Sequence, residues 1–235
     1  FSCCLYGENL LKTPFFQVVL AIVRKDLRLE LRSRELVSSM GLFALLSILI
    51  FSFALELDRI AGLEAISGVL WVTVVFASIL GLNRSLAMER DQGNLDALLL
   101  APIDRSAIFV GKFVGNFIFA LAVGLLLLPL MTVLYNVDLI QPWILAVLLL
   151  GTLGFSTIGT LLATMTVQTR ARESLLPIVM LPVALPVLLS AVRAATNVLN
   201  GNPIADWLAW VQILLVVDII YLVLCFLLFE YVIEE

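Results

Sequence analysis

Along the chain, apolar residues gather in six long runs that are almost free of charge: Val37–Leu55, Ser67–Leu82, Ala107–Tyr135, Trp143–Val167, Ser174–Ala195 and Ala209–Tyr231. A helix needs about 20 apolar residues to cross a bilayer, and lipid offers no partner to an open strand backbone. The pattern therefore predicts six membrane-spanning helices. The third run holds Pro129, which predicts a kink or an end there. The fifth holds Pro177, Pro182 and Pro186, which argues against a straight helix.

Ahead of the first run the period changes. In FFQVVLAIVRKDLRLELRSRE, Phe16, Leu20, Val23, Leu27 and Leu31 recur at spacings of three and four and build one apolar stripe. Arg24, Lys25, Arg28 and Arg32 fall largely off it. Such a helix is expected to lie in the membrane surface, its basic groups near lipid phosphates; a helix packed on a soluble partner is the alternative. The expected organisation is residues 1–14 with no assigned role, an amphipathic interfacial helix over 15–36, and a six-span all-α domain over 37–235. FSCCLYGENLLKTP opens without a methionine.

Composition agrees with this. The chain is 62% hydrophobic, against roughly 45–50% in a soluble domain, so it is read as an integral membrane protein. The net charge of −4 says little, but the placement of lysine and arginine says more. Six basic residues precede the first span, four flank the connection between spans two and three, and two lie between spans four and five, so 12 of 14 fall on one side. Arg59 and Arg193 fall on the other. Both termini are expected to be cytoplasmic, in a bacterial inner membrane. Trp71, Trp143, Trp207 and Trp210 sit at or near the opposite ends of spans, as indoles favour.

The chemistry is sparse. There is no histidine, so these residues supply no imidazole ligand to a metal or haem and no imidazole acid–base group. Cys3 and Cys4 are adjacent and Cys225 is isolated, with no metal-binding spacing. No phosphate-cradling G-x-x-x-x-G-K-[ST] occurs. No catalytic constellation is apparent, so the chain is not read as an enzyme. If it does ATP-driven work, another chain must bind the nucleotide. No feature suggests nucleic acid as a partner.

Three features could carry function. The first is MERDQGNLDALLLAP (88–102), a polar stretch between two spans. Leu95, Leu98 and Leu99 sit at helical spacing, Gly93 interrupts the pattern and Pro102 stops it. This predicts a short helix on the membrane surface with acidic groups near its start, where the helix dipole favours them. Docking on a partner and a solvated connector stand level on these grounds. The second is Asp218, about eight residues beyond Trp210 in the last span. A carboxylate there needs a partner or water, and Arg193 is the candidate ion-pair partner. A polar contact in a transport path is the functional reading, and a local hydrogen bond to a neighbouring helix or to water near the outer interface is the plainer one. The third is small residues: Gly111-Lys-Phe-Val-Gly115 and GTLGFSTIGTLLAT allow close helix packing within the chain or, more sharply, between two copies.

GVLWVTVVFASILGLNRSLAMERDQGNLDALLLAPIDRSAIFVGK resembles the heme exporter protein B family (CcmB), at Leu82, Arg84, Leu86, Glu89, Gly93, Leu95, Asp96, Leu98 and Pro102. Leu86 departs from the aromatic residue expected there. LLGTLGFSTIGTLLATMTVQTRARESLLPIVMLPVALPVLL is similar as well, and the resemblance extends from about Phe15 onward. It implies an export-type permease of an ATP-binding-cassette complex in c-type cytochrome biogenesis, with no cofactor of its own. It implies a homodimer paired with separate ATPase subunits (cytochrome c maturation protein A), which bind ATP and Mg. It further implies haem-handling membrane proteins C and D, the periplasmic haem chaperone E, and haem as cargo or as the load of the released chaperone. Glu89, Arg90, Asp91, Gly93, Leu95, Asp96, Leu98 and Pro102 would form the coupling element docked on the ATPase. The helix from Phe16 to Arg34 would be a lever. A related permease for lipid, glycan or drug, and a non-transporting scaffold, are the alternatives.

Overall fold

The computed structural model describes residues 15–56, 63–91, 105–166 and 172–232. Over these the chain forms α1 (Phe15–Ser33), α2 (Glu35–Glu56), α3 (Leu63–Asp91), α4 (Arg105–Tyr135), α5 (Pro142–Thr166), α6 (Arg172–Leu199) and α7 (Ile204–Val232). Helices α2 to α7 are the six long apolar helices, each able to cross a membrane.

Burial ranks them. The apolar spans of α3 and α5 have 72% of their residues buried, against 17% for α2 and α7. Glycines on α5 let the neighbouring helices come close: a Cβ on Gly151 would collide with the Trp71 ring, and one on Gly159 would lie 2.6 Å from both Leu82 and Met180. Side chains of α3 and α6 therefore sink against the α5 backbone, the close approach that drives helix association where lipid is as apolar as leucine. The outer helices keep rows of large apolar residues exposed, such as Leu42, Leu46, Ile50 and Phe53 on α2. In a bilayer that surface meets acyl chains.

The prolines do not end their helices. Helix α4 runs through Pro129 to Tyr135, and α6 contains Pro177, Pro182 and Pro186 within one continuous element. Proline removes one backbone donor per position, and two other carbonyls of the same stretch take side-chain donors. Ser190 Oγ donates to the Pro186 carbonyl at 2.8 Å, and Tyr221 Oη of α7 donates to the Val183 carbonyl at 2.8 Å. Helix α6 then stops in a Schellman turn: Gly201 has φ +67°, its N–H donates to the Val198 carbonyl, and the Asn202 N–H donates to the Asn197 carbonyl.

Two expectations about depth change. Helix α7 begins at Ile204, five residues earlier than Ala209. Trp71 is not an interfacial residue, because it is 2% exposed and pressed on Gly151. Trp143 and Trp207 do meet at the starts of α5 and α7, ring centroids 4.7 Å apart.

Candidate functional site

Helix α1 is held by the end of the bundle where α4 begins. It lies against α4, with Val18 and Ile22 packed among Ala107, Ile108 and Phe109 of α4, Leu161 of α5, and Cys225 and Phe229 of α7. The seat is built from the Gly111 and Gly115 pair. A Cβ on Gly111 would lie 2.9 Å from Ile22, and one on Gly115 would lie 3.6 Å from Asp26. The pair thus packs within the chain; α1 already occupies that groove, so it is not a seam between two copies. One residue after Gly111, Lys112 Nζ reaches Asp26 Oδ2 at 3.3 Å, and both side chains are nearly buried.

Helix α1 consequently has three faces rather than two. At 100° per residue, Val18, Ile22, Asp26 and Glu30 share the face turned to the bundle. Phe16 and Leu20, part of the stripe expected to face the membrane surface, are 78% and 60% exposed. Val23 is buried and Leu27 half-buried at the border between these two faces, and the Leu31 side chain lies outside the described residues. Arg24, Arg28 and Arg32 occupy the remaining, exposed face.

The corner from α1 to α2 turns on one residue. Arg34 has φ 54°, and its N–H donates to the Glu30 carbonyl. Glu30, only 6% exposed, accepts the Val37 N–H on Oε1 at 2.7 Å. Its carboxylate thereby serves an amide that the first turn of α2 leaves without a helical partner, at the end where the helix dipole favours negative charge. Glu35 in that turn also pairs with Arg84 near the end of α3.

Helix α3 does not stop at the edge of its apolar span. The span ends at Ser85 and the helix at Asp91. Glu89, Arg90 and Asp91 therefore belong to the last turn of α3, not to the start of a separate helix, and the expected benefit from a helix N-terminus does not apply to them. Their side chains, and Gly93, Leu95, Asp96, Leu98 and Pro102 altogether, lie outside the described residues.

Polar groups inside the bundle cluster on α5. Asn116 Nδ2 of α4 donates to Thr160 Oγ1 at 3.0 Å, and Thr160 in turn donates to the Ser156 carbonyl at 2.7 Å. Asn116, Ser78 and Ser156 line a small cleft closed by Met40, Phe119 and Phe155. Asp218 lies apart, near the middle of the α7 span, deeper than its distance from Trp210 suggests. It is 2% exposed and neither carboxyl oxygen has a hydrogen-bond partner among the described residues. Oδ1 intrudes on the space that a Cβ on Gly154 would need, beside Val187. Arg193, the candidate ion-pair partner, is exposed and six residues further along α6 than Val187, about 9 Å by helical rise. The two residues are not brought together, and no hydrogen bond to a described residue replaces the ion pair.

Sequence reasoning missed Asp26, Glu30 and Lys112 as a set. A signal was present: Lys112 lies one turn or so inside an apolar run, and an ammonium at that position requires a partner.

Residues 17–231 match the CcmB protein family. The chain belongs to that family. It is 31% identical to "Heme exporter protein B" of Rhodobacter capsulatus over 173 residues, covering 72% of this chain and 78% of the relative. It is 27% identical to the protein of the same name from Bradyrhizobium diazoefficiens over 185 residues, with 77% and 82% covered. With the one from Pseudomonas aeruginosa it shares 26% identity over 192 residues, with 81% and 86% covered. The CcmB match begins within α1 and ends within α7, so the clasped α1 belongs to the family region along with the six spans.

Proposed function

We propose that the chain is the permease subunit of a haem exporter serving c-type cytochrome biogenesis in the bacterial inner membrane, with both termini cytoplasmic. The names of its relatives support the cargo. The distribution of 12 among 14 basic residues supports the orientation. Energy comes from ATP hydrolysis on separate ATPase subunits, since this sequence has no phosphate-cradling loop. The transport step either moves haem or drives release of the haem-loaded chaperone, alongside the haem-handling proteins C and D, with two permease copies per complex.

The observation that carries the mechanism is the unbroken run of α3 from its buried span to Asp91. A push delivered to residues 88–102 by a closing ATPase enters the end of a helix that packs on α2, α4, α5 and α6. A connector that melted at the membrane edge would dissipate that push. Coupling requires contacts that differ between the two states. The free apolar and basic faces of α1 and its clasp on α4 suit it to act as a lever beside the spans.

The test is purification in mild detergent with identification of bound proteins and haem, for the native chain and for Asp91→Lys with Asp96→Lys. The native chain should bring down an ATPase subunit. The double variant should lose that subunit together with c-type cytochrome production. Survival of both under the double substitution refutes docking through 88–102. Intact c-type cytochromes in a strain lacking the chain refute the cargo.

A further inference from the structure

The sequence of α1 alternates arginines with carboxylates, and a free helix could pair them along its own surface. The fold prevents it. Asp26 is drawn inward to Lys112 at 3.3 Å, its other oxygen 3.4 Å from the adjacent Lys25, and Glu30 is turned inward to the Val37 amide at 2.7 Å. Both acids of the helix are thus used on the bundle side. Arg24, Arg28 and Arg32 stay exposed, spaced four residues apart, and none is ion-paired among the described residues. They lie on one face over about 12 Å of helix. Beside that face, Phe16 and Leu20 project away from the protein.

We infer that this face is a binding surface for anionic phospholipid. Phe16 and Leu20 enter the acyl region, and the three guanidinium groups meet phosphate oxygens at the level of the headgroups. Arginine suits that contact because its planar fork can donate two parallel hydrogen bonds to a phosphate. General membrane affinity would require only the apolar face. The inward capture of Asp26 and Glu30 adds discrimination by headgroup charge, because it removes the negative groups that would repel an anionic lipid. The inference rests on the surface placement of α1 and is independent of the cargo.

The test uses the full chain reconstituted in phosphatidylcholine bilayers carrying spin-labelled phosphatidylglycerol or spin-labelled phosphatidylcholine. The native chain should immobilise phosphatidylglycerol in preference, and added salt should erode the preference. Arg24→Gln, Arg28→Gln and Arg32→Gln together should abolish it, with roughly a fivefold loss of relative affinity per residue as the upper scale. The corresponding three lysine substitutions should retain most of it. Equal association of the two lipids with the native chain overturns the inference, as does a triple glutamine variant that keeps the preference. Loss of the ATPase from that variant with lipid preference unchanged overturns it in favour of an acidic protein surface. If the triple variant does not fold, the salt dependence of the native chain and the single change Arg28→Gln decide the matter.

Discussion

Asp26 and Lys112 lie 86 positions apart in the chain and meet at 3.3 Å, one carried by the surface helix and the other by the first turns of a span. One helical turn away, Ile22 fills the space that a side chain on Gly111 would need. Charge and shape therefore fix the same joint, and each can be disturbed separately.

Removing one partner of a nearly buried ion pair weakens the compensation of the other, even though Lys25 Nζ also lies 3.4 Å from Asp26 Oδ1. Lys112→Met or Asp26→Leu alone should lower stability by about 3 kcal/mol, while the two together should cost much less. Thermal unfolding of the purified chain in detergent, run as a double-mutant cycle, measures the difference. Additive losses would mean that the contact contributes nothing.

The shape half of the joint is tested by Gly111→Leu. The larger side chain has no room beneath Ile22, so α1 should detach while the spans remain folded. Protease cleavage within α1 should accelerate, and circular dichroism of the bundle should change little. Equal cleavage rates in the two proteins would show that the seat is not needed.

Gly154 and Asp218 form a second close pair. Gly154→Ala should destabilise by about 1–3 kcal/mol, the usual cost of overpacking, because its Cβ would collide with Asp218 Oδ1. Adding Asp218→Ala should restore most of the loss. Asp218→Asn should not, since the amide has the same volume. Thermal midpoints of the four proteins check this, and rescue by asparagine would show that charge rather than space was at fault.

Arg34 occupies the left-handed region with φ 54°, a conformation that costs a side-chain-bearing residue about 1–2 kcal/mol. Arg34→Gly should therefore maintain or raise the thermal midpoint, whereas Arg34→Val should lower it. Glu30→Ala should cost about 1 kcal/mol through loss of the contact to the Val37 amide.

Sequence pattern located all six spans and the amphipathic helix before them, because lipid leaves a long apolar run one way to satisfy its backbone. It also singled out the charged stretch at 88–102, and the family match then supplied a context for it. The errors came where a residue's neighbour was not its neighbour in sequence. Arg193 is the nearest basic residue to Asp218 in sequence, yet α6 carries it past the level of Asp218 and out to the surface. Period marked Phe16 and Leu20 as part of a membrane-facing stripe, and both are exposed, but only α4 shows that Val18 and Ile22 form a second apolar side that touches protein.

By itself the sequence determined the number of spans, the grouping of basic residues and the lack of histidine, since each follows from composition or a local period. Tertiary structure decided which polar side chains are consumed. Asp26 and Glu30 read as solvated surface charges among arginines until α4 and the start of α2 turn them inward. Gly111 read as part of a helix–helix motif without a partner until α1 filled it. The physical reason is that desolvation and close contact belong to pairs of elements, and a one-dimensional pattern describes only one member of each pair.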